Sequence, residues 1–371
     1  MKSKLFIGLA AAAVLWAAAA GTASAAPEAP GFLKGKVVSG VDASLALNKR
    51  IAAARDAFLK AGPGDDFFAA YVFPSRTLIH HSMNGHDGPF DVTLSGGEVK
   101  LHGSKHGDDI STNSKDKGGP AGLLLAYSKS KSDPVAVRLL DPEDIYEFKT
   151  IPVYWLGAAD ADASAGYLES EFDRGPEKLR KSLVFVISLH ETPRSLDFLR
   201  KTAFGTAYSH EVREDAVFWA GTSKDVRGYE IVRDVLAKTE EPELRKHAVF
   251  ALTLTDRKEA TAELIRVAKN DASRETRKEA IFWLGQKATQ ESVGTLKDVV
   301  DKPDENEDVK DSAVFAISQL PKEKSVPLLV NMARSNKSLA VRKKAMFWLG
   351  QTDSDEALKL FEEILTKKAK G

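Results

Sequence analysis

Apolar side chains in the second half of the chain recur three and four positions apart, the spacing that places them on one face of an α-helix. One segment of this kind ends in phenylalanine and occurs six times. Its copies are residues 179–185, 212–218, 244–250, 276–282, 309–315 and 341–347. Successive phenylalanines are 32 or 33 residues apart. A fixed period in this range predicts a solenoid of helix pairs, each stable only when stacked on its neighbours.

A seventh, degenerate copy precedes these six. Residues 148–154 end in Tyr154, which lies 31 residues before Phe185. Between copies, each period holds a further apolar helix, such as residues 231–236, and a polar turn, such as residues 301–304. The pattern therefore predicts a mainly α fold, an α-α superhelical solenoid of about seven helix pairs over residues 146–371.

A different pattern precedes the solenoid. Residues 43–61 have the spacing of an amphipathic helix, and short alternating runs with turn signals between them then predict strands. The predicted strands are residues 71–73, 77–79, 90–94, 99–101, 123–126 and 135–139, with hairpin turns at residues 95–97 and 130–133 and a polar loop at residues 102–120. We interpret residues 43–145 as a small α+β, β-rich cap domain. Residues 26–42 are rich in proline and glycine and predict a linker.

The amino-terminal 25 residues have the pattern of a secretory signal peptide. Lys2 and Lys4 precede an apolar run, and Ala23-Ser24-Ala25 supplies the small residues of a cleavage site. A retained membrane anchor is the alternative. Nothing later in the sequence reaches the ~20 apolar residues of a spanning helix. We expect a periplasmic or secreted protein without stable membrane insertion after cleavage.

Composition narrows the classes of function. The chain has no cysteine, which excludes disulfides, thiolate metal ligands and cysteine nucleophiles. Its 53 basic residues balance 53 acidic residues. A nucleic-acid-binding protein is expected to carry a basic excess, so the balance argues against a nucleic-acid partner.

The repeated segment resembles a known family. Residues 341–350 read Val-Arg-Lys-Lys-Ala-Met-Phe-Trp-Leu-Gly, and residues 276–285 follow nearly the same order. Over residues 148–366 the chain resembles the short bacterial type of HEAT repeat. The resemblance implies a scaffold, usually without catalysis, although some relatives occur in pigment lyases. It also implies that one arginine per repeat bonds an acidic or polar residue in the turn between helices; these are Arg180, Arg213, Arg245, Arg277 and Arg342, and Lys310 departs from the pattern in the fifth copy.

Tryptophan follows the aromatic residue in alternate copies. Trp155, Trp219, Trp283 and Trp348 occur at intervals of 64 or 65 residues, and the copies between them have Val186, Ala251 and Ala316. The true unit is therefore a double repeat. A helical wheel places the tryptophans on the same face as the leading aliphatic residue, which favours large-beside-small core packing over ligand contact.

The aromatic residue just before this position falls on a different face. The wheel places it beside lysines and glutamine, on the side that lines the concave surface of HEAT-like solenoids. The series is Tyr154, Phe185, Phe218, Phe250, Phe282, Phe315 and Phe347. Aromatic residues in register there predict an apolar stripe that binds a partner. Packing of successive rings against one another in a tightly curved solenoid is the structural alternative.

Sequence signals for chemistry are weak. The metal candidates are His80, His81, His86, His102 and His106, and their spacing does not guarantee convergence on one ion. His190-Glu191 and His210-Glu211 lack the second histidine of a zinc-protease helix. We find no nucleophile elbow, phosphate loop or dinucleotide fingerprint, and therefore assign no catalytic residue and no cofactor.

These observations support three hypotheses. The first is an exported scaffold that binds a peptide or partner protein in its concave groove. The second is an enzyme or metal-binding module in residues 70–140 docked on the solenoid. The third is an envelope spacer whose groove is filled by its own amino-terminal segment.

Overall fold

The computed structural model describes residues 26–75, 79–81, 90–95, 97–102, 110–112, 119–255 and 257–368. These residues form a sheet region followed by a helical solenoid. The strands are β1 (Leu33–Val38), β2 (Asp66–Ser75), β3 (Ile79–His81), β4 (Phe90–Ser95), β5 (Glu98–His102), β6 (Ile110–Thr112), β7 (Gly119–Ser128), β8 (Ala136–Leu140) and β9 (Tyr146–Ala158).

The first helix lies within the sheet region and the others form the solenoid. The helices are α1 (Leu47–Ala61), α2 (Ala161–Arg174), α3 (Glu177–Ser188), α4 (Pro193–Phe204), α5 (His210–Gly221), α6 (Val226–Lys238), α7 (Pro242–Leu254), α8 (Lys258–Asn270), α9 (Arg274–Lys287), α10 (Gln290–Asp301), α11 (Glu307–Ser318), α12 (Lys322–Ser335), α13 (Leu339–Gly350) and α14 (Asp355–Lys368). The predicted class, a mainly α solenoid with a small sheet region before it, is confirmed.

The main sheet has seven strands. Their order is β5-β4-β9-β2-β7-β8, and β1 pairs with β9 in addition. Strand β9 is parallel to β1, β2 and β4, whereas the β4–β5 and β7–β8 pairs are antiparallel hairpins. Both predicted hairpins are thus confirmed. The short strands β3 and β6 form a separate antiparallel pair. Because β6 lies within residues 102–120, that segment is not the continuous loop that the sequence predicts.

Each face of the main sheet has its own core. Alternate residues of β2, such as Phe67 and Tyr71, pack with α1 and continue into the core of the solenoid. Their neighbours, such as Phe68, pack with Phe148 and Val92 in a second core. The end strands β5 and β8 contact each other, so the sheet curls around this second core.

Two predictions about the boundaries are wrong. Residues 26–42 are not a free linker, because β1 pairs with β9 and Leu33 is buried. Residues 146–158 are not the start of the solenoid, because β9 is the central strand of the sheet. The degenerate copy at residues 148–154 is therefore a strand. Pro152 lacks the N–H that a helix interior requires, and β-branched neighbours favour extended backbone. Gly157, with φ +82°, turns the chain after it.

A buried arginine joins α1 to the end of β9. Arg50 is 6% exposed, and its Nη1 donates to the carbonyl oxygens of Leu156 and Ala158, at 2.7 Å each. Burial lowers the pKa of this guanidinium, while nearby Asp160 opposes the shift. Asp160 itself accepts a hydrogen bond from the Ala163 N–H and caps α2. The sheet therefore passes directly into the solenoid.

His190 occupies the junction between the sheet and the solenoid. Its ring stacks on Phe73 of β2 with centroids 4.1 Å apart. Nδ1 lies 3.0 Å from the Val186 carbonyl and must donate to it, so Nε2 accepts from Ser164 Oγ at 2.7 Å. Ser164 Oγ lies 2.9 Å from the Tyr71 hydroxyl, which completes the chain. Burial lowers the pKa of His190 to about 4, so the ring is neutral near pH 7.

Six helix pairs, α2/α3 to α12/α13, stack in sequence and α14 packs on α12. Serine hydroxyls cap the second helix of alternate pairs at Ser209, Ser273 and Ser338. Their spacing follows the double repeat. Neighbouring second helices contact each other more extensively than neighbouring first helices do. The stack therefore curves towards its second helices, which line the concave side.

Glycine permits the closest approaches between second helices. A Cβ added at Gly221 would lie 2.6 Å from the carbonyl oxygen of Ala251, and one at Gly285 would lie 2.9 Å from the Ala316 Cβ. The equivalent Gly350 is open, with Phe361 4.0 Å away as its nearest neighbour. At Gly221 and Gly285 any larger side chain would force the next second helix to move away.

A candidate aromatic groove on the second helices

The repeated phenylalanines lie on the concave side, at the edge of the buried face of each second helix. Phe185, Phe218, Phe250 and Phe315 are half-buried. Phe282 is 38% exposed and Phe347 is 55% exposed. Meanwhile the leading and central positions of the same helices, such as Val341 and Ala345, are fully buried. The helical wheel thus placed these rings correctly on a partly exposed face.

The tryptophans share this surface. Trp219, Trp283 and Trp348 are half-buried, whereas their counterparts Val186, Ala251 and Ala316 are at most 3% exposed. These tryptophans pack against the core, but they are not buried within it, so the prediction of fully buried indoles is wrong. An indole is too large for the space that alanine fills, so it extends past the core onto the concave surface. The 64-residue spacing distinguished these tryptophans from the valine and alanines at the equivalent positions. The helical wheel ignores side-chain size and therefore assigned them to the buried face.

Phenylalanine and tryptophan together form three-ring units. Each tryptophan contacts the phenylalanine before it in its own helix and the phenylalanine of the preceding second helix. The units are Phe185–Trp219–Phe218, Phe250–Trp283–Phe282 and Phe315–Trp348–Phe347, with centroid distances between 4.5 and 5.2 Å. Phe218 and Phe250, 6.0 Å apart, join the first two units. We call these nine residues the aromatic ladder.

Tyr154 and Trp155 do not belong to the ladder. Both lie on β9 and are 5% exposed. Tyr154 packs edge-on against Phe67, and Trp155 packs edge-on against Phe32 on the other face of the sheet. The groove prediction for Tyr154 is wrong, because the segment that resembles a repeat helix is a strand.

Charged side chains flank the ladder in balanced pairs. Lys181 pairs with Glu211, and Lys344 pairs with Asp311 at 2.9 Å. Burial raises the pKa of Asp215, which precedes Trp219 by one helical turn, while Lys181 opposes the shift. In the corresponding position Glu279 accepts a 2.7 Å hydrogen bond from the Trp283 indole. The ladder is thus an apolar stripe between polar margins of mixed sign.

The repeat arginines bond near the turns between helices, as the family resemblance implies, but the bonds that all five share go to backbone carbonyls. Each donates to carbonyl oxygens at the end of the preceding helix or in the turn before its own helix. Arg180 bonds to Phe172 O, Arg213 to Ala203 O, Arg245 to Thr239 O, Arg277 to Asp271 O and Arg342 to Asn336 O, at 2.6–3.1 Å. Their guanidinium groups satisfy carbonyls that the helix ends leave open.

The histidine candidates give no described metal centre. His80 and His81 lie on β3, and His86 and His106 lie outside the described residues. His102 ends β5, is exposed, and its Nε2 lies 2.8 Å from Thr93 Oγ1. Within the part of the chain that the structure describes, no three histidine or acidic residues are placed to hold a metal ion.

Comparison with known families identifies the repeats. The HEAT-repeat family matches residues 229–306, 261–335 and 296–371. Residues 229–371 of the solenoid are HEAT repeats. The three matches overlap and together cover α7 to α14, which are the helices that carry two of the three ring units. No curated protein sequence matches the chain.

Solved structures that match this chain share little sequence with it. Human deoxyhypusine hydroxylase in complex with glycerol is 16% identical, over 54% of this chain and 85% of its own, with a TM-score of 0.24. The complex of CpcE and CpcF of phycocyanin lyase from Nostoc is 16% identical, over 54% and 92%, with a TM-score of 0.30. An engineered protein is 18% identical, over 55% and 92%, with a TM-score of 0.27.

Among the helices of the described residues, none combines the length and the apolar character that crossing a membrane requires. The predicted signal segment, residues 1–25, lies outside the described residues.

Proposed function

We propose that this HEAT-repeat protein is a non-catalytic scaffold that binds an extended segment of a partner protein along the aromatic ladder. The observation that carries the proposal is the series of nine aromatic rings in register on the concave side. Large half-exposed aromatic side chains are the type most often found at the energetic centres of protein interfaces. A surface stripe of such rings between polar margins is typical of an interaction site.

Ladder spacing supports an extended partner segment rich in proline. Packed helices lie about 8–10 Å apart, which sets the distance from one second helix to the next. A polyproline II segment advances ~3.1 Å per residue and completes a turn in three residues, so one turn spans about one repeat. Aromatic rings are also the surfaces that receive such segments in known recognition modes. We therefore infer one apolar turn of the partner per helix pair.

The charges beside the ladder support a protein partner over a nucleic acid. Phosphate backbones require a clear basic excess. Here the marginal lysines already have acidic partners, as in Lys344 with Asp311 and Lys246 with Glu243. A partner with a neutral apolar face and mixed flanking charges is the better match.

The test uses a labelled peptide of repeated Leu-Pro-Pro units and the full chain. We expect saturable binding by fluorescence anisotropy, with quenching or a spectral shift of the ladder tryptophans. Phe282→Ser and Phe347→Ser are chosen because these rings are the most exposed in the ladder. Each should weaken binding at least tenfold, which corresponds to about 1.4 kcal/mol.

Val226→Ser is the matched control, because Val226 is 44% exposed and lies on a first helix. It should leave peptide affinity unchanged. A helical peptide with leucine every seven residues is the competing ligand. Tighter binding of that peptide would replace the extended segment by a helix, and failure of both peptides to bind would contradict the groove proposal.

We further infer that the protein acts outside the cytoplasm. The support is the sequence of residues 1–25, with its basic start, apolar run and Ala23-Ser24-Ala25 cleavage pattern. Expression of the full chain in a bacterial host should give a periplasmic product that begins at Ala26. A product that keeps Met1 and stays with the cytoplasmic fraction would contradict export.

A further inference from the structure

Three of the repeat arginines bond to the turn of the next helix pair as well as to the turn of their own pair. The guanidinium of each reaches forward to a carboxylate in the turn of the next helix pair. The pairs are Arg213 with Glu241, Arg245 with Asp271, and Arg277 with Glu305. Arg213, Asp271 and Glu305 are at most 7% exposed, so these ion pairs fill the space between successive turns.

The next unit departs from this pattern at both positions. Lys310 replaces the arginine, and the following turn has Asn336 in place of a carboxylate. Asn336 is the structural counterpart of Asp271. Asp271 Oδ1 accepts the N–H of Ser273 at 3.0 Å, and Asn336 Oδ1 accepts the N–H of Ser338 at 2.9 Å. The double repeat thus presents the same site twice, once with an ion pair and once without.

A pocket of about 600 Å³ lies where the ion pair is missing. Four lysines and two carboxylates line it; these are Lys297, Lys302, Lys310 and Lys337 with Asp301 and Glu307. Lys302 pairs with Glu305 outside the lining, so the remaining three lysines leave an excess of one positive charge over the two carboxylates. Both carboxylates already accept hydrogen bonds, Asp301 from the Asn336 amide at 2.9 Å and Glu307 from the Ser338 hydroxyl at 3.2 Å. The pocket therefore has basic groups to spare.

Lys310 is the central basic group. The residue is 5% exposed, and its Nζ makes two long contacts, 3.5 Å to the Pro303 carbonyl and 3.4 Å to Glu307 Oε1. Glu307 has a 53% exposed side chain, so it compensates this ammonium poorly. A buried cation is costly unless a close anion balances it. In the preceding double repeat, Asp271 supplies that anion to Arg245.

We propose that this pocket binds a small aliphatic carboxylic acid. Its carboxylate lies beside Lys310 and supplies the negative charge that Asp271 supplies to Arg245 in the preceding double repeat. Its hydrocarbon part contacts Val300, Leu328 and Met332, which also line the pocket. The volume is within the range of small-molecule sites, ~300–1,000 Å³. The site lies in the turns between helices, apart from the aromatic ladder, and the proposal does not depend on the groove.

The test is isothermal titration of the full chain with butyrate, succinate and glutarate, against chloride at equal ionic strength. We expect at least one acid to bind with a Kd of about 1 mM or tighter. Lys310→Met should weaken that binding at least tenfold. Lys343→Met, an exposed lysine on α13 outside the pocket, should leave it unchanged.

A second variant distinguishes loss of binding from loss of folding. Lys310→Arg combined with Asn336→Asp rebuilds the Arg245–Asp271 arrangement inside the pocket. It should fold with a Tm equal to or above that of the wild type and should not bind the acids. The proposal is overturned if none of the three acids binds at concentrations up to about 10 mM, if the double variant retains wild-type affinity, or if Lys343→Met loses affinity to the same extent as Lys310→Met.

Discussion

Aromatic residues have opposite roles in the two regions of this molecule. In the sheet region, Phe67, Phe68, Tyr71 and Tyr127 are at most 1% exposed and fill the cores on both sides of the sheet. In the solenoid, leucine, valine, isoleucine and alanine form most of the core, and the repeated aromatic rings lie at the surface. Aromatic residues therefore stabilise the core of the sheet region, whereas in the solenoid they form a candidate binding surface.

Substitution of Phe67 is the strongest test of this difference between the two regions. This ring stacks on Tyr127 at 4.9 Å and contacts Phe58 at 4.7 Å. Phe67→Ala should lower the free energy of unfolding by about 3–5 kcal/mol, as for other core phenylalanines. Urea denaturation followed by circular dichroism measures the loss. A loss below about 1 kcal/mol would mean that the aromatic core of the sheet region is not tightly packed.

The junction between the regions should respond to acid. Because the pKa of His190 is about 4 in the folded protein against an ordinary 6.5, the unfolded chain takes up a proton that the folded chain refuses. Stability from the neutral ring is fully present above pH 6.5 and decreases as the pH falls towards 4. Over this interval the free energy of unfolding decreases by about 3 kcal/mol, at 1.36 kcal/mol per pKa unit.

Denaturant titrations between pH 7 and pH 4 test this prediction. Other groups titrate in the same range, so the informative quantity is the difference between the wild type and His190→Gln. The variant should lose about 3 kcal/mol less than the wild type over this interval. Parallel curves for the two proteins would show that His190 is not held neutral at the junction.

Helix spacing in the solenoid can be tested at equivalent glycines. Gly221→Ala introduces a Cβ 2.6 Å from a backbone oxygen of the next second helix, which must move away. We expect a loss of about 1–3 kcal/mol, typical of overpacking. Gly350→Ala, where nothing lies closer than 4.0 Å, should be neutral or stabilising by up to about 1 kcal/mol. Thermal melts of the pair decide, and equal losses would refute the proposed close approach.

The smallest effect on stability is expected in the ladder itself. Phe282 is 38% exposed, and its ring contacts Trp283. Phe282→Ser should change the free energy of unfolding by about 1 kcal/mol or less, even though it weakens peptide binding. A loss close to that of Phe67→Ala would mean that the ladder is a packing device and not a binding surface.

The period and the buried faces of the repeat helices could be predicted from the sequence, because each helix pair depends on contacts with identical neighbours. The role of residues 146–158 could not. Tyr154, Trp155 and Gly157 imitate the repeat at the right spacing, yet tertiary pairing with β1, β2 and β4 makes the segment a strand. Local pattern alone does not record which distant strands are available for pairing.

The linker prediction failed for a related reason. Residues 33–38 contain few large apolar side chains, and their strand depends on parallel hydrogen bonds to β9, more than 100 residues away. The helical wheel predicted the phenylalanines of the ladder. The tryptophans could be assigned to it only from their half-buried contacts in the structure. A wheel gives directions, but the size of an indole decides how far it extends beyond the core.

The continuous core between the sheet and the first helix pairs has a mechanical consequence. Leu168 and Phe172 of α2 belong to the same core cluster as Phe67 and Tyr71 of the sheet, so the solenoid is clamped at that end. A stack held at one end bends like a cantilever, with the smallest displacement at the clamp and the largest at the far tip. We expect Phe185 to keep a nearly fixed position while Phe347 swings.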